Sequence, residues 1–132
     1  MNVKIEKQGD GTYIAYNTTG DNVTLIGTGD TVAEAKKDFE ESLLSVKESY
    51  EEMGDFVPEA LSEKVVYKFD LSSLFEYYKI LNISAFARYV GINDSLMRQY
   101  KKGNVAISDK QLEKIEDGIH TLGKEMMSLR LV

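Results

Sequence analysis

Cysteine is absent from this chain of 132 residues, and histidine and proline occur once each, as His120 and Pro58. Without cysteine the chain has no disulfide framework and no thiolate ligand for a metal, as is usual in a reducing compartment. A transition-metal site needs several nitrogen or sulfur ligands, and His120 has no second histidine or cysteine to join it. We therefore expect neither a metal ion nor an organic cofactor.

Long apolar runs are missing as well. No apolar stretch approaches the length of a membrane span, and the start, MNVKIEKQGDG, lacks the apolar core of a signal peptide. Hydrophobic residues make up 42% of the chain and charged residues 29%, which is usual for a folded globular protein. The sequence predicts a cytoplasmic protein that does not associate with a membrane.

Acidic residues outnumber basic ones, and the excess is confined to one half of the chain. Residues 1–71 carry 7 lysines and 15 acidic residues, a net charge of -8. Residues 72–132 carry 9 basic and 7 acidic residues, a net charge of +2. Halves that differ this much in charge predict two domains with two partners, one of them basic. We place the domains at residues 1–71 and 72–132.

Alternating apolar and polar residues in the first domain predict a small antiparallel sheet. Three alternating segments, residues 3–8, 12–17 and 22–28, have the pattern of half-buried strands. Glycine and aspartate at residues 9–11 and 20–21 supply the turns between them. The expected arrangement is a three-stranded antiparallel meander.

A long amphipathic helix and a fourth strand complete the first domain. In residues 32–53 apolar side chains recur at alternating steps of three and four, which predicts one helix lying across a face of the sheet. Residues 64–70 alternate again and form the fourth strand. The sequence thus predicts an α+β protein that begins with an antiparallel β-β-β-α-β domain.

Two patterns in this domain suggest ligand sites but have a simpler explanation. The Gly-Thr-Gly of residues 27–29 lacks the downstream lysine of a phosphate-binding loop. Asp10, Asp21 and Asp30 each lie beside glycine, where turns favour aspartate, so a carboxylate-metal nuclease ranks far below the other hypotheses. No constellation of catalytic residues is present, and we predict that the protein is not an enzyme.

The second domain centres on residues 83–100, ISAFARYVGINDSLMRQY, which have the pattern of a helix-turn-helix. Ala87 permits close approach of the two helices, and Gly91 allows the positive φ angle that ends the first one. Asn93 is a suitable N-cap for the second helix. Residues 71–81 are predicted to form a supporting helix ahead of the motif, so this domain is expected to be all-α.

Outward polar side chains of the motif are the candidate DNA-binding residues, because they can bond to base edges or hold phosphates. Arg98 is expected to point into the major groove, on the face opposite Met97 and Tyr100. A structural αα-hairpin is the alternative, since alanine and glycine also serve packing at helix corners. The candidate set is Ser84, Asn93, Asp94, Ser95, Arg98, Gln99, Lys101 and Lys102.

The last predicted helix begins after Ser108, a good N-cap, and carries a long apolar stripe. The stripe is long for a helix that packs only on its own small bundle. We therefore expect a homodimer or a higher homo-oligomer, which would also let a helix-turn-helix protein cover two half-sites. The stripe consists of Leu112, Ile115, Ile119, Leu122, Met126 and Leu129.

The order strand, strand, strand, helix, strand and helix-turn-helix resembles the HicB family of antitoxins from bacterial type II toxin-antitoxin systems. The likeness rests on GDGTY at residues 9–13, GDTVAEA at residues 29–35, Val-Pro at residues 57–58, and Ala87 with Gly91. It covers nearly the whole chain. One departure lies at residues 19–21, where Thr-Gly-Asp stands in place of the Pro-Gly-Cys-like turn common in the family.

The resemblance implies a function for each domain. The first domain would have a partial ribonuclease H-like fold without activity, and it would bind and neutralise a small basic HicA-like toxin that cleaves messenger RNA. The second domain would bind operator DNA and repress the operon. The acidic first half suits a basic toxin. The alternative is a stand-alone phage-type repressor whose first domain senses a ligand or oligomerises, and a co-transcribed small basic neighbour would distinguish the two.

Overall fold

The computed structural model describes residues 1–20 and 22–132, and the chain divides into two compact units, Met1–Lys79 and Ile80–Val132. The described strands lie in the first unit and helices follow, so the predicted α+β class is confirmed. Gly20 has the positive φ angle of the turn predicted at residues 20–21, and Asp21 lies outside the described residues.

The first unit contains a four-stranded sheet formed by β1 (Asn2–Lys7), β2 (Tyr13–Asn17), β3 (Ile26–Gly29) and β4 (Val66–Phe69). Its order is β3-β2-β1-β4, and the antiparallel pairing of the first three strands confirms the meander. β4 pairs with β1 in parallel, so the prediction of a fully antiparallel domain is wrong. The cause is the helical crossover between β3 and β4, which returns the chain in the same direction.

The third strand begins at Ile26 rather than at residue 22. The side chain of Asn17 satisfies backbone groups of the preceding segment, donating to Val23 O at 2.7 Å and accepting from Leu25 N at 2.7 Å. Asparagine side chains compete with strand pairing in this way. The segment ahead of β3 is therefore a loop, although its residues alternate like a strand.

Helix α1 (Val32–Glu52) crosses one face of the sheet and begins after its N-cap Thr31, which confirms the predicted helix and its start. It lies very close to β3. A Cβ atom added at Gly27 would lie 2.3 Å from Phe39 N and 2.4 Å from Ala35 O. Packing therefore requires glycine in β3, which explains the Gly-Thr-Gly pattern without a ligand.

The fully buried part of α1 is limited to its first half. Met53, the last member of its predicted apolar stripe, is 67% exposed just beyond the helix. Leu61 enters the core from a short 3-10 helix, Glu59–Ser62, which the sequence did not predict. The core of the first unit comprises Met1, Val3, Ile5, Tyr13, Ala15, Leu25, Val32, Ala35, Phe39 and Leu61.

Helix α2 (Leu71–Tyr77) is shorter than the predicted residues 71–81 and belongs to the first unit. Glu76 accepts a hydrogen bond from Val32 N at 3.0 Å, and the ring of Tyr77 stacks on Phe69 at 5.9 Å between centroids. These contacts tie α2 to α1 and β4. The predicted boundary at residue 71 and the assignment of this helix to the helix-turn-helix are therefore corrected, because its polar and aromatic contacts lie on the sheet unit.

The second unit contains α3 (Ile83–Val90), α4 (Asp94–Lys102) and α5 (Asp109–Met127). The predicted helix-turn-helix and the N-cap Ser108 of α5 are thus confirmed as structural elements. Among the described residues, no helix combines the length and the apolar character needed to cross a membrane. The buried apolar residues of this unit are Phe86, Ala87, Val90, Ile92, Met97, Tyr100 and Ile115.

Candidate nucleic-acid and protein interfaces

Three consecutive residues set the angle between α3 and α4. Gly91 has a φ angle of +77°, and Ile92 N donates to Ala87 O at 2.8 Å, which closes the end of α3 around a left-handed glycine. Asn93 then starts α4, its side-chain oxygen accepting from Ser95 N at 2.9 Å. The predicted left-handed glycine and N-cap are both confirmed.

Arg98 lies on the exposed face of α4, whereas Met97 and Tyr100 are buried, as the spacing predicted. Its guanidinium donates to Ser84 Oγ at 3.1 Å and to Ser95 Oγ at 3.4 Å. Three candidate residues from both helices of the motif therefore come together. Both partners are neutral hydroxyls, so the positive charge of Arg98 is not neutralised and its donors suit a phosphate or a guanine edge.

Two other candidate residues are used by the protein itself. Asn93 caps α4 with its side-chain oxygen. Asp94 accepts a hydrogen bond from Arg88 at 3.4 Å, an ion pair that spans the turn between the helices. These atoms stabilise the helix corner, so they are poorly placed to read a base at the same time.

The remaining candidates, Gln99, Lys101 and Lys102, are exposed on the later turns of α4. The two lysines lie in the last turn, where a cation also offsets the negative end of the helix dipole. A cation at this position can hold a phosphate without reading a base.

Arg88 and Lys114 also take part in this region, although the sequence analysis did not single them out. Arg88 is 70% exposed beside Asp94, and its place in the last turn of α3 was the available signal. Lys114 Nζ donates to Gly91 O at 3.0 Å and so connects α5 to the helix corner. That contact has no local sequence signal, because it joins residues from two separate elements.

Acidic side chains in the first half of α1 have structural roles. Asp38 accepts from Thr28 N at 2.9 Å and so satisfies the outer edge of β3. Glu40 accepts from the hydroxyl of Tyr67 at 2.7 Å. Burial, together with this hydrogen bond, raises the pKa of Tyr67. These carboxylates are therefore committed to the fold.

The C-terminal end of α1 is different. Glu48, Glu51 and Glu52 are exposed there, and the last turn contains no basic residue. The helix dipole is itself negative at this end, so glutamates are locally unfavourable. Met53 is 67% exposed and Phe56 98% exposed in the segment that follows. Acidic and apolar side chains together form a surface suited to a basic protein partner.

Asp10 has a local role in the turn between β1 and β2. Asp10 accepts from Thr12 Oγ at 2.6 Å and from Thr12 N at 2.9 Å, and these hydrogen bonds lower the pKa of Asp10. The backbone N–H of Asp30 donates to Glu34 at 2.8 Å. In the part of the chain that the structure describes, no three histidine, aspartate or glutamate side chains are grouped so as to hold a metal ion.

Comparison of the chain with protein-family models, with curated proteins and with solved structures found no match.

Proposed function

We propose that this chain is a HicB-like antitoxin that acts in the cytoplasm as a homodimer or higher homo-oligomer. Its first unit, partly ribonuclease H-like, binds and neutralises a small basic HicA-like toxin that cleaves messenger RNA. Its second unit binds operator DNA through the helix-turn-helix and represses the operon. It has no enzymatic activity of its own in this proposal.

One observation carries the DNA-binding part: an exposed, charged Arg98 that is hydrogen-bonded to two serines on the helix following the Gly91 corner. The second unit has a net charge of +2, and the first unit -8, so the division at Lys79 leaves the charge contrast of the two halves unchanged. Positive charge beside a helix-turn-helix favours the phosphate backbone.

Substitution at two positions of α4 tests this part. Arg98→Ala should weaken binding to the promoter of the chain's own gene by about 1 to 3 kcal/mol. It should also relax the sequence preference at one base position. Lys102→Ala should weaken binding to all duplexes alike and reduce the salt slope by about one. Fluorescence anisotropy on promoter and scrambled duplexes measures both.

Arg130→Ala is the matched control, because it removes the same charge from an exposed arginine beyond α5. The Arg130→Ala protein should bind the promoter with nearly the wild-type affinity, because only a distant surface charge is lost. Unchanged promoter affinity in Arg98→Ala, or an equal loss in Arg130→Ala, would mean that α4 does not read this DNA.

The toxin-binding part is supported by the exposed acidic residues at the C-terminal end of α1 and by the exposed Met53 and Phe56 beside them. Glu48→Gln with Glu52→Gln removes two charges one turn apart and should weaken capture of a small basic neighbouring gene product. The control, Glu113→Gln with Asp117→Asn, removes an equally spaced pair of charges from α5. Association should also weaken as salt rises, because exposed charges are screened.

Isothermal titration of the neighbouring gene product into each variant decides this part. Equal affinity for the wild type and the α1 variant would move the contact surface elsewhere. If the neighbour does not bind the full chain at all, the stand-alone repressor becomes the better hypothesis.

A further inference from the structure

The guanidinium of Arg98 is held at two points on the surface of the helix-turn-helix. It donates to Ser84 Oγ on α3 at 3.1 Å and to Ser95 Oγ on its own helix at 3.4 Å. An arginine side chain has many rotamers, so ordering it on a ligand costs conformational entropy. Two hydrogen bonds in the free protein reduce that cost before a ligand binds. The side chain is therefore preorganised for one direction of approach.

Arg98 keeps enough donors to read a base. A guanidinium carries five N–H donors in a rigid plane, and the two serines accept two of them. The remaining three are sufficient for a bidentate pair with O6 and N7 of guanine. Because the plane is rigid, fixing two donors also fixes the direction of the others. Recognition of a base edge depends on this direction, whereas attraction to the phosphate backbone depends mainly on charge.

The contact between Arg98 and Ser84 joins the two helices of the motif. Ser84 is half-buried in the first turn of α3, so its hydroxyl is a firmer anchor than a fully exposed one. The corner between the helices already has its own ion pair, from Arg88 to Asp94 at 3.4 Å. Arg88 is thus neutralised by a carboxylate, whereas both of these partners of Arg98 are neutral hydroxyls. The hydroxyl of Ser84 directs a charge that stays available for DNA.

We propose that Ser84 is a specificity-determining residue that acts through Arg98 and does not itself bind DNA. Its hydroxyl orients the guanidinium towards a guanine edge in the major groove. The inference deepens the proposed function, because it rests on DNA binding by α4 and names the residue that gives this helix its sequence preference. This indirect role differs from the direct contact with DNA that the sequence predicts for Ser84.

Substitutions at position 84 test the proposal on the full chain. Ser84→Ala should lower the ratio of promoter affinity to scrambled-duplex affinity about three- to tenfold. Affinity for the scrambled duplex and the salt slope should stay at their wild-type values, because no charge is lost. Ser84→Thr keeps a hydroxyl and should retain most of the preference. Ser49→Ala is the matched control, since it removes an exposed helical hydroxyl that donates to Ser45 O at 2.9 Å in the first unit.

A double-mutant cycle distinguishes orientation from direct contact. In the Arg98→Ala background, Ser84→Ala should cause no further loss of promoter affinity, because the side chain that Ser84 orients is gone. A hydroxyl that bonds to a phosphate would instead give additive losses of equal size on promoter and scrambled duplexes. Additive losses, or a promoter preference that Ser84→Ala leaves unchanged, would overturn the proposal.

The free protein provides a test without DNA. In a heteronuclear NOE measurement, the Nε–H group of Arg98 should be ordered in the wild type and in Ser49→Ala, and mobile in Ser84→Ala. Equal mobility in all three proteins would overturn the proposed orientation. Ser84→Ala should also unfold at the wild-type urea concentration. A lower midpoint would make Ser84 a structural brace of the helix corner and would contradict its role in specificity.

The same measurements separate this inference from the proposed function. A wild type without preference for its promoter would contradict the proposed function, and the specificity role of Ser84 with it. A promoter preference that is lost in Arg98→Ala but survives in Ser84→Ala would keep the proposed function and remove this inference alone.

Discussion

The two long helices, α1 with 21 residues and α5 with 19, look alike in sequence but are used differently. Both repeat apolar residues at alternating steps of three and four. The first half of α1 is pressed onto β3, whereas α5 buries only Ile115 fully and leaves Met126 and Leu112 exposed. The comparison teaches that periodicity predicts a helix and its apolar face but not what covers that face.

Glycine marks the same difference. Gly27 and Gly118 are each required by a neighbouring element, since an added Cβ would lie within 2.3 Å of α1 backbone or Val90. Gly123 and Gly9 have open space around them. Substitutions at these positions therefore separate packing inside the chain from contacts outside it, and the predictions below follow from the largest expected effect to the smallest.

The largest effect concerns the end of the first unit. A chain ended after Lys79 should fold, whereas one ended after Leu71 loses the Glu76 hydrogen bond to Val32 N and the stacking of Tyr77 on Phe69. Together these two contacts contribute about 3 to 4 kcal/mol to the free energy of unfolding. Urea unfolding followed by circular dichroism measures the difference, and equal midpoints for the two chains would restore the boundary at residue 71.

The next largest effect is expected for Gly27→Ala, which should lower the free energy of unfolding by about 3 kcal/mol. The added Cβ would clash with the backbone of α1, which cannot move away as a side chain could. Gly9→Ala is the control, since its added Cβ meets nothing within 4 Å. Hydrogen-deuterium exchange should increase in β3 and α1 of the first variant and not in α5. Unchanged protection in β3 would mean that α1 lies farther from this strand.

Gly118→Ala should lower the free energy of unfolding by about 1 to 2 kcal/mol. The loss is smaller than for Gly27→Ala because the added Cβ meets the side chain of Val90 and not a backbone. Exchange should increase in α3 and α5 alone. Adding Val90→Ala should remove the clash, so the double variant should lose less than the sum of the two single losses. Strict additivity would show that the two residues do not touch.

Local signals let the sequence predict much of the fold. The turn at residues 9–11, the N-caps Thr31 and Asn93 and the left-handed Gly91 each follow from the residue and its immediate neighbours. The parallel pairing of β4 was missed because strand order depends on the path of α1, not on the alternation of β4 itself. The loop ahead of β3 was missed because one distant side chain, Asn17, competes with strand pairing.

The candidate site was predictable to a similar extent. The exposure of Arg98 follows from its spacing relative to Met97 and Tyr100, and the structure agrees. The engagement of Asp94 by Arg88 depends on the angle between α3 and α4, which no local pattern encodes. The packing of α2 on the sheet unit likewise depends on contacts with residues far away in the chain, such as Val32.

The central claim is that two regions of the chain bind two different partners. Its most direct test measures the affinities of the same two variants for both partners. Arg98→Ala should lose preference for the promoter duplex and keep its affinity for the small basic neighbour. Glu48→Gln with Glu52→Gln should do the opposite in paired anisotropy and calorimetry measurements. A variant that loses both activities while remaining folded, or promoter and neighbour affinities that neither variant changes, would contradict the account.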